Sequence, residues 1–465
     1  MVESAGEATR PAGGRRKGGR WQPKGRQVDP RALDEVSALL AGRPLRRDLL
    51  IEHLHRLQDH YGCLDAAHLA ALAELMRLPM AEVYEVATFY AHFDLVREGA
   101  AAPPPVTLRV CGSLSCALAG SEALLAELRV RAGPAVRVLP APCMGRCDGA
   151  PAVAVGRRPL DHATADAALA LVAAGDLHPT VPSFDDFDAY RAGGGYRLLR
   201  DCIAGRRTRD AVIADVTASG LKGLGGAGFP AGRKWGFVRA GPAPRLLAVN
   251  ADEGEPGTFK DRLFLETDPH RMLEGMLIAA WAVEAEAAYI YLRDEYPAAR
   301  AILEREIPKL AAAGLAPPGS IHLRRGAGAY ICGEESAMLE SIEGRRGLPR
   351  HRPPYAAEVG LFGRPTLIHN VETLHWLRAI LENGPDWFRG QGRNGGAGLR
   401  AFSVSGRVKR PGVKIAPVGT TARELIEEHC GGMQEGHRFR AYLPGGASGG
   451  ILPAALADLP LDFGK

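Results

Sequence analysis

The segment LLAVNADEGEPG at residues 246–257 decides the fold of this chain. Its first four residues form a short apolar run, which is typical of a buried β-strand. The run leads directly into one amide and three acidic side chains, Asn250, Asp252, Glu253 and Glu255. Because polar and charged groups are costly to bury without partners, the pattern predicts a ligand site at the carboxyl end of this strand.

Strands and helices alternate after this segment. Helical patterns over 270–283 and 297–312 enclose an apolar strand at 288–292, and a third strand precedes a glycine-rich turn into a helix from about Glu334. Such alternation is typical of a parallel sheet covered by helices. We therefore predict an α/β, Rossmann-like domain over residues 195–385.

A glycine-rich block comes before the segment. It consists of Gly223, Gly225, Gly226 and Gly228, then Phe229 and Pro230, and shortly afterwards Lys234. Glycine lets the backbone approach a phosphate closely, and a lysine adds a compact positive charge beside it. A glycine run alone is also typical of a flexible loop. Composition favours the phosphate interpretation, since three of only nine lysines fall at positions 222, 234 and 260.

Two later blocks repeat the order of strand, turn, polar side chains and helix. GAGAYICGEES at 326–336 carries the paired carboxylates Glu334 and Glu335, and PTLIHNVET at 365–373 supplies a further polar turn. Taken alone, the carboxylate pair is also explained by capping the next helix and complementing its dipole. Together the blocks predict one ligand site built from several strand ends.

Four of the eight cysteines are clustered in two short motifs, namely Cys111 with Cys116 and Cys143 with Cys147. Each pair follows a predicted strand, so both loops can meet at one end of a small α/β domain. Four thiolates at one point bind either zinc or an iron–sulfur cluster. The small, glycine-containing second loop favours a cluster, because its backbone N–H groups can donate to the sulfur atoms. Zinc and uninvolved thiols are the alternatives.

Composition and charge argue against other classes of protein. Hydrophobic residues make up 46% and charged residues 24%, which is ordinary for a soluble protein, and no apolar stretch approaches the roughly 18 residues of a membrane span. Residues 1–28 carry the whole net charge of +5, so a nucleic-acid-binding body is disfavoured. We predict that this basic tail is disordered, with an RNA-binding or transit-peptide role as the alternative.

These motifs resemble two subunits of respiratory NADH dehydrogenases. The cysteine motifs, with the helical pattern before them, resemble the thioredoxin-like [2Fe–2S] ferredoxin subunit, although the 26 residues between Cys116 and Cys143 are fewer than usual there. Residues 205–465 resemble the flavoprotein subunit that binds FMN and NADH. Arg352 and Tyr355 stand where that family commonly has Lys and Phe, which leaves the choice between NAD and NADP open.

The resemblance implies the cofactor ligands. FMN is expected at Gly223, Gly225, Gly226, Lys234, Asn250, Asp252, Gly333, Asn370 and Thr373. NAD(H) is expected at Phe229, Glu255, Glu335 and Tyr355, with Glu334 also in the cofactor-binding set and with Glu255 and Glu335 as the catalytic residues. The [2Fe–2S] cluster is expected at Cys111, Cys116, Cys143 and Cys147.

The expected architecture is a multidomain α/β chain. Its units are the basic tail (1–28), a helical bundle (29–100), a thioredoxin-like [2Fe–2S] domain (103–175), a Rossmann-like FMN/NADH domain (195–385) and an incomplete β-grasp, SLBB-like domain (398–465). In the resembling family the β-grasp unit precedes a domain with four cysteine ligands of a [4Fe–4S] cluster. Beyond Cys332 this sequence has only Cys430, and one thiol cannot hold such a cluster, so we expect a fragment of a longer protein.

The resemblance implies an NADH:acceptor oxidoreductase (diaphorase) module, in which a hydride passes between NAD(H) and FMN and single electrons reach iron–sulfur clusters. Similar fused chains occur in NAD-dependent formate dehydrogenase β subunits, in NADH-quinone oxidoreductases and in NAD-reducing hydrogenases. We expect a cytoplasmic chain, or one peripheral to the inner membrane through its complex, with iron–sulfur and molybdenum- or quinone-linked partner subunits. Nucleic-acid binding and direct membrane insertion are not expected. The alternative is a non-catalytic electron-transfer or scaffold subunit.

Overall fold

The computed structural model describes residues 27–463, and nearly all of the predicted basic tail lies outside this range. The first unit is a helical bundle. Its elements are α1 (Pro30–Leu39), α2 (Leu50–Tyr61), β1 (Leu64–Asp65), α3 (Ala66–Met76), α4 (Met80–Phe89) and β2 (Leu95–Val96). The Asp29 carboxylate accepts a hydrogen bond from the Arg31 N–H (2.9 Å), and Pro30 is the first helical residue. Asp29 therefore caps α1, and Pro30 suits its first position because no intrahelical N–H is needed there.

The second unit is the small α/β domain that carries the clustered cysteines. Its elements are β3 (Val106–Cys111), α5 (Leu114–Leu118), α6 (Ser121–Arg131), β4 (Val136–Ala141), β5 (Val153–Val155), β6 (Arg158–Leu160) and α7 (Ala165–Ala173). The strand order is β4-β3-β5-β6, in which β3 and β4 are parallel and the last two pairs are antiparallel. Since β3 and β4 run the same way, both cysteine loops follow strand ends at one edge of the sheet.

The third unit contains the predicted parallel sheet. Its elements are α8 (Phe187–Ala192), α9 (Arg197–Ile203), α10 (Arg209–Ala218), α11 (Ala231–Ala240), β7 (Arg245–Ala251), α12 (Lys260–Thr267), α13 (Pro269–Val283), β8 (Ala285–Leu292), α14 (Pro297–Ala312), β9 (Ile321–Arg325), α15 (Glu335–Ile342), β10 (Thr366–Asn370), α16 (Val371–His375), α17 (Leu377–Asn383) and α18 (Pro385–Arg389). All pairs in the order β10-β7-β8-β9 are parallel. The predicted segment at 246–249 lies within β7, at the centre of the sheet.

The two faces of this sheet belong to two different hydrophobic cores. Leu247 and Val249 of β7 pack into the core formed with α13 and its neighbours. Leu246 and Ala248, which alternate with them, pack into a core shared with the N-terminal bundle. The bundle therefore covers one face of the sheet, because alternate side chains of a strand point to opposite faces.

The last unit is small and rich in turns. Its elements are β11 (Leu399–Val404), β12 (Gly412–Pro417), α19 (Ala422–Glu424), β13 (Ala441–Tyr442) and β14 (Leu452–Pro453), with a π-helical turn at Leu425–His429. The helix α19 begins with a capping box between Thr421 and Glu424. Within residues 27–463 no helix is long and apolar enough to cross a membrane.

Candidate functional site

The glycine-rich block forms a tight loop before α11. The Gly223 N–H donates to the Phe229 carbonyl (2.8 Å), and the Leu224 N–H donates to the Thr373 hydroxyl (2.9 Å). A Cβ atom on Gly225 would lie 3.1 Å from the Cβ atom of Asn370, and Gly226 has φ +128°. Both positions therefore require glycine, for close approach in one case and for backbone conformation in the other. The loop therefore contacts Thr373 through Leu224 and Asn370 through Gly225.

Two predicted asparagines meet at the carboxyl edge of the parallel sheet. Asn250 of β7 pairs directly with Asn370 of the neighbouring β10. The Asn250 side-chain amide donates to the Gly333 carbonyl (2.8 Å), and its oxygen accepts from the Asp252 N–H (3.1 Å). Asn250, Asp252, Gly333 and Asn370 therefore form one edge of the site, at the position where parallel sheets bind ligands.

One carboxyl oxygen of Asp252 has no hydrogen-bond donor within residues 27–463. Its Oδ2 atom is buried and makes no hydrogen bond among residues 27–463. Burial raises the pKa of Asp252 to about 7, with Arg293 acting in the opposite direction. A buried, unsatisfied carboxyl oxygen is rare in native proteins and points to a missing polar ligand. This observation and the glycine loop fit a flavin phosphate and its polar ring edge.

Lys260 contacts the edge of the site formed by Asn250, Asp252, Gly333 and Asn370. Its ammonium group donates to Asp261 Oδ1 (2.7 Å) and to Asn370 Oδ1 (3.1 Å), and it lies 3.1 Å from Glu372 Oε2. Burial alone would lower the pKa of Lys260, but the attraction of the surrounding carboxylates outweighs burial and raises it. Lys260 is therefore a charged group that holds Asn370 in place through a buried network.

The mouth of the site carries the carboxylates predicted to take the nucleotide. Glu335 lies 3.7 Å from Lys234 Nζ and 3.2 Å from the Arg352 guanidinium. The carboxylate of Glu334 accepts from the N–H groups of Ser336 and Ala337 at the start of α15, and it pairs with Arg352. Glu334 thus caps the helix α15, which is the alternative role that the sequence left open for the carboxylate pair. Glu335 instead faces Lys234 and Arg352.

Glu255 lies on a different side of the mouth. Its carboxylate accepts from the Tyr330 hydroxyl and from the Ser448 N–H (2.8 Å). The predicted stacking rings are accessible, since Phe229 is 38% and Tyr355 is 56% exposed. Burial lowers the pKa of Lys234, although Glu335 opposes this effect. The mouth therefore offers aromatic rings and paired carboxylates, which suit a nucleobase and ribose hydroxyls.

The four clustered cysteines are buried in two contacting pairs. Cys143 Sγ lies 3.4 Å from Cys147 Sγ, and Cys111 is in hydrogen-bonding contact with both Cys116 and Cys143. These contacts lower the pKa of Cys143 and raise the pKa of Cys111. Within residues 27–463 no three His, Cys, Asp or Glu side chains are arranged to hold a metal ion. The donor set of two thiol pairs fits a binuclear cluster, in which each iron takes two cysteines.

The second cysteine loop is held directly against the flavin-binding unit. Arg293 Nη2 donates to the Cys143 carbonyl (2.8 Å), and Arg262 Nε donates to the Gly145 carbonyl (2.9 Å). Phe259 packs against the side chains of Cys143 and Cys147. Phe259 and Arg262 follow Asn250 and Asp252 within a few residues in the sequence. The single segment 250–262 therefore contacts both the cysteine loop and the carboxyl edge of the parallel sheet.

Comparison with known proteins identifies three matching families, each over a different part of the chain. The Nuo51 FMN-binding domain matches residues 216–378, the thioredoxin-like [2Fe-2S] ferredoxin matches 36–175, and the SLBB domain matches 402–452. The F subunit of an NADH-quinone oxidoreductase of Rhizobium meliloti (strain 1021) is 46% identical over 292 residues, which are 61% of this chain and 69% of that protein. This chain belongs to the family of NADH-quinone oxidoreductase F subunits.

Further members and one solved structure extend this comparison. The corresponding F subunit in Escherichia coli (strain K12) is 44% identical over 286 residues, which are 59% of this chain and 64% of that protein. The crystal structure of an NAD+-reducing [NiFe]-hydrogenase in the air-oxidized state contains a chain that is 33% identical, with a TM-score of 0.78. That match covers 89% of this chain and 75% of the hydrogenase chain, and so includes most of the fused architecture.

Membership of this family confirms the predicted fold class, the resemblance and the assignment to an oxidoreductase subunit with FMN-binding and [2Fe–2S] domains. The domain boundaries and individual site residues stay predictions. Sequence reasoning missed Phe237, whose ring centroid lies 6.3 Å from that of Phe229, and it missed Arg293. The spacing of eight residues from Phe229 could have indicated Phe237, whereas no local pattern marks Arg293.

Proposed function

We propose that this member of the family is an NADH:acceptor oxidoreductase module that carries FMN and one [2Fe–2S] cluster. The observation that carries the proposal is the continuous segment from Asn250 to Arg262, which borders the predicted flavin site and also contacts the cysteine loop. NADH donates two electrons and an iron–sulfur cluster accepts one, so a flavin that connects them must lie close to both. When bound, FMN would accept a hydride from NADH and release electrons singly, chemistry that no side chain here supplies.

The residues around the glycine loop would hold FMN. Backbone N–H groups of the loop and the Lys234 ammonium group suit its phosphate. Asn250, Asn370 and Asp252 present amide and carboxyl groups at the adjacent edge, and Asp252 has the unsatisfied oxygen. Because the pKa of Asp252 is raised to about 7, its carboxyl can donate a hydrogen bond as well as accept one near neutral pH.

The mouth residues would bind and orient NADH. Phe229 and Tyr355 offer exposed ring faces for the nucleobase. Glu255 and Glu335 offer carboxylate oxygens for ribose hydroxyls, and the contacts with Tyr330 and Lys234 keep these carboxylates in position. The expected roles are binding and orientation, because no nucleophile or proton donor of the protein is needed for hydride transfer.

The relatives indicate which kinds of complex could contain this chain. The relatives are named as subunits of NADH-quinone oxidoreductases, and the hydrogenase chain shares most of this architecture. We propose a cytoplasmic subunit whose partners carry further iron–sulfur clusters and a quinone-, molybdenum- or nickel–iron-linked site, with NAD-dependent formate dehydrogenase as one of the candidate parents. Purification of the tagged chain from its native cells, followed by identification of the subunits that remain bound, tests this choice.

The diaphorase activity itself has a direct test. The purified chain, supplied with FMN and iron, should reduce ferricyanide with NADH, because this small acceptor needs no partner subunit. A protein that binds the flavin but gives no NADH-dependent reduction would contradict the proposal and favour a scaffold subunit.

A further inference from the structure

Three side chains form a stripe at the entrance to the nucleotide site. Phe229 lies in the loop just before α11, and Arg233 and Phe237 lie one turn apart within α11. The guanidinium carbon of Arg233 lies 5.7 Å from the ring centroid of Phe229 and 6.0 Å from that of Phe237. The rings are 38% and 53% exposed. The stripe therefore presents two aromatic rings with a positive charge beside them.

Arg233 differs from the neighbouring basic residues because it has no anionic partner. Lys234 lies beside Glu335, and Arg239 pairs with Asp210. Arg233 itself is exposed and makes no ion pair among residues 27–463. An unpaired guanidinium next to a nucleotide site is available for a ligand anion, and arginine is well suited to phosphate.

We propose that Arg233, which lies between these two rings, binds a phosphate group of the adenosine half of the dinucleotide. The inference rests on the proposed nucleotide-binding function. Glu255, Glu334 and Glu335 occupy other parts of the mouth, where carboxylates repel phosphate and suit hydroxyl groups. Arg233 is an exposed positive charge without an ion-pair partner in residues 27–463, and it lies near the start of the ten-residue helix α11, where anions are favoured.

The phosphate has two possible sources in a dinucleotide. The pyrophosphate is present in both NADH and NADPH, whereas the 2′-phosphate is present in NADPH alone. An arginine near the 2′ position is the usual way to accommodate NADP. The role of Arg233 is therefore a specificity-determining one if the 2′-phosphate is its ligand, and a general affinity role if the pyrophosphate is.

Titration calorimetry on the full chain separates these cases without requiring turnover. The ligands are ADP-ribose, 2′-phospho-ADP-ribose and nicotinamide mononucleotide, the last of which lacks the adenosine half. The variants are R233Q, the charge-conserving R233K and the control R239Q on the same helix. R233Q removes a charge-assisted hydrogen bond to phosphate, so we expect it to weaken ADP-ribose binding about tenfold or more.

The expected pattern has three further parts. R233K should recover most of the lost affinity, R239Q should bind like the unaltered chain, and nicotinamide mononucleotide should bind all variants equally. An equal loss for both ADP-riboses identifies the pyrophosphate, and a larger loss for the 2′-phosphorylated ligand identifies the 2′-phosphate.

Two results would overturn the assignment of Arg233. One is an R233Q dissociation constant within twofold of the unaltered value for both ADP-riboses. The other is an equal weakening of nicotinamide mononucleotide, which would show a general loss of the site. NADH-driven reduction of ferricyanide by the unaltered chain tests the proposed function separately, so failure of that function is distinguishable from failure of this inference.

Discussion

Replacing Lys260 by methionine should strongly destabilise the flavin-binding unit. The side chain of Lys260 is 8% exposed, and its carboxylate neighbours Asp261 and Glu372 are 2% and 0% exposed. Methionine fills a similar volume but leaves both carboxylates without their counter-charge. Removing one partner of a buried ion pair costs about 3–5 kcal/mol, because an uncompensated charge remains in a medium of low polarity.

Titration of Lys260 itself adds no pH dependence in the neutral range. The surrounding carboxylates raise the pKa of Lys260, so the folded state holds its proton more tightly than the unfolded state does. The resulting stabilisation is fully present below the unfolded lysine pKa of about 10.4 and is lost only as pH rises through the higher folded value. Lys260 also stabilises the charged form of Glu253, whose pKa burial raises to about 7, so we expect K260M to cost more at pH 8 than at pH 6.

Urea unfolding followed by tryptophan fluorescence measures the effect, because Trp235 is fully buried in this unit and Trp376 nearly so. The matched control is R423M, which removes the exposed Arg423–Asp458 pair and should change the stability little, because solvent screens such a pair. The double variant K260M/E372Q removes one of the two unpaired charges and should recover about 1–2 kcal/mol. A loss below 1 kcal/mol for K260M, or no recovery in the double variant, would refute this account of the buried network.

Three further predictions concern the cofactor sites. E255Q and E335Q should each slow NADH-driven ferricyanide reduction while FMN stays bound; a variant that loses its fold but keeps its activity per folded molecule would contradict the binding role. C147S should lower the iron content and the visible absorbance of the full chain, and one zinc per chain with no iron would refute the cluster. Burial raises the pKa of Asp252 to about 7, so the apo protein should lose stability relative to D252N as pH rises from about 4 to 7; a constant difference in unfolding free energy would refute it.

The local part of the fold could be predicted because each element carries its own pattern. The predicted helix at 297–312 has the observed bounds of α14, and the predicted strand at 246–249 lies inside β7. Turns rich in glycine and acids at strand ends also indicated which residues would meet, since parallel strands place their carboxyl ends together and Asn250 lies beside Asn370. These inferences needed only neighbours in sequence and a general rule of sheet topology.

Contacts between residues that are distant in sequence could not be predicted in the same way. Arg293 and Cys143 are 150 residues apart, and Lys260 and Asn370 are 110 apart, so no periodicity connects either pair. When an arginine donates to a backbone carbonyl, any residue type can be its partner, so the sequence of the partner does not indicate the contact. For the same reason the sequence did not indicate that the N-terminal bundle covers one face of the parallel sheet. Only the folded chain brings these groups together.

Anaerobic titration of the purified full chain with NADH tests the central claim most directly. The chain should contain about two irons, and about one equivalent of NADH should bleach the flavin absorbance because the hydride is transferred within the same chain. Continued addition should then change the cluster absorbance as electrons leave singly. A bound flavin whose spectrum does not change on addition of NADH would contradict the account.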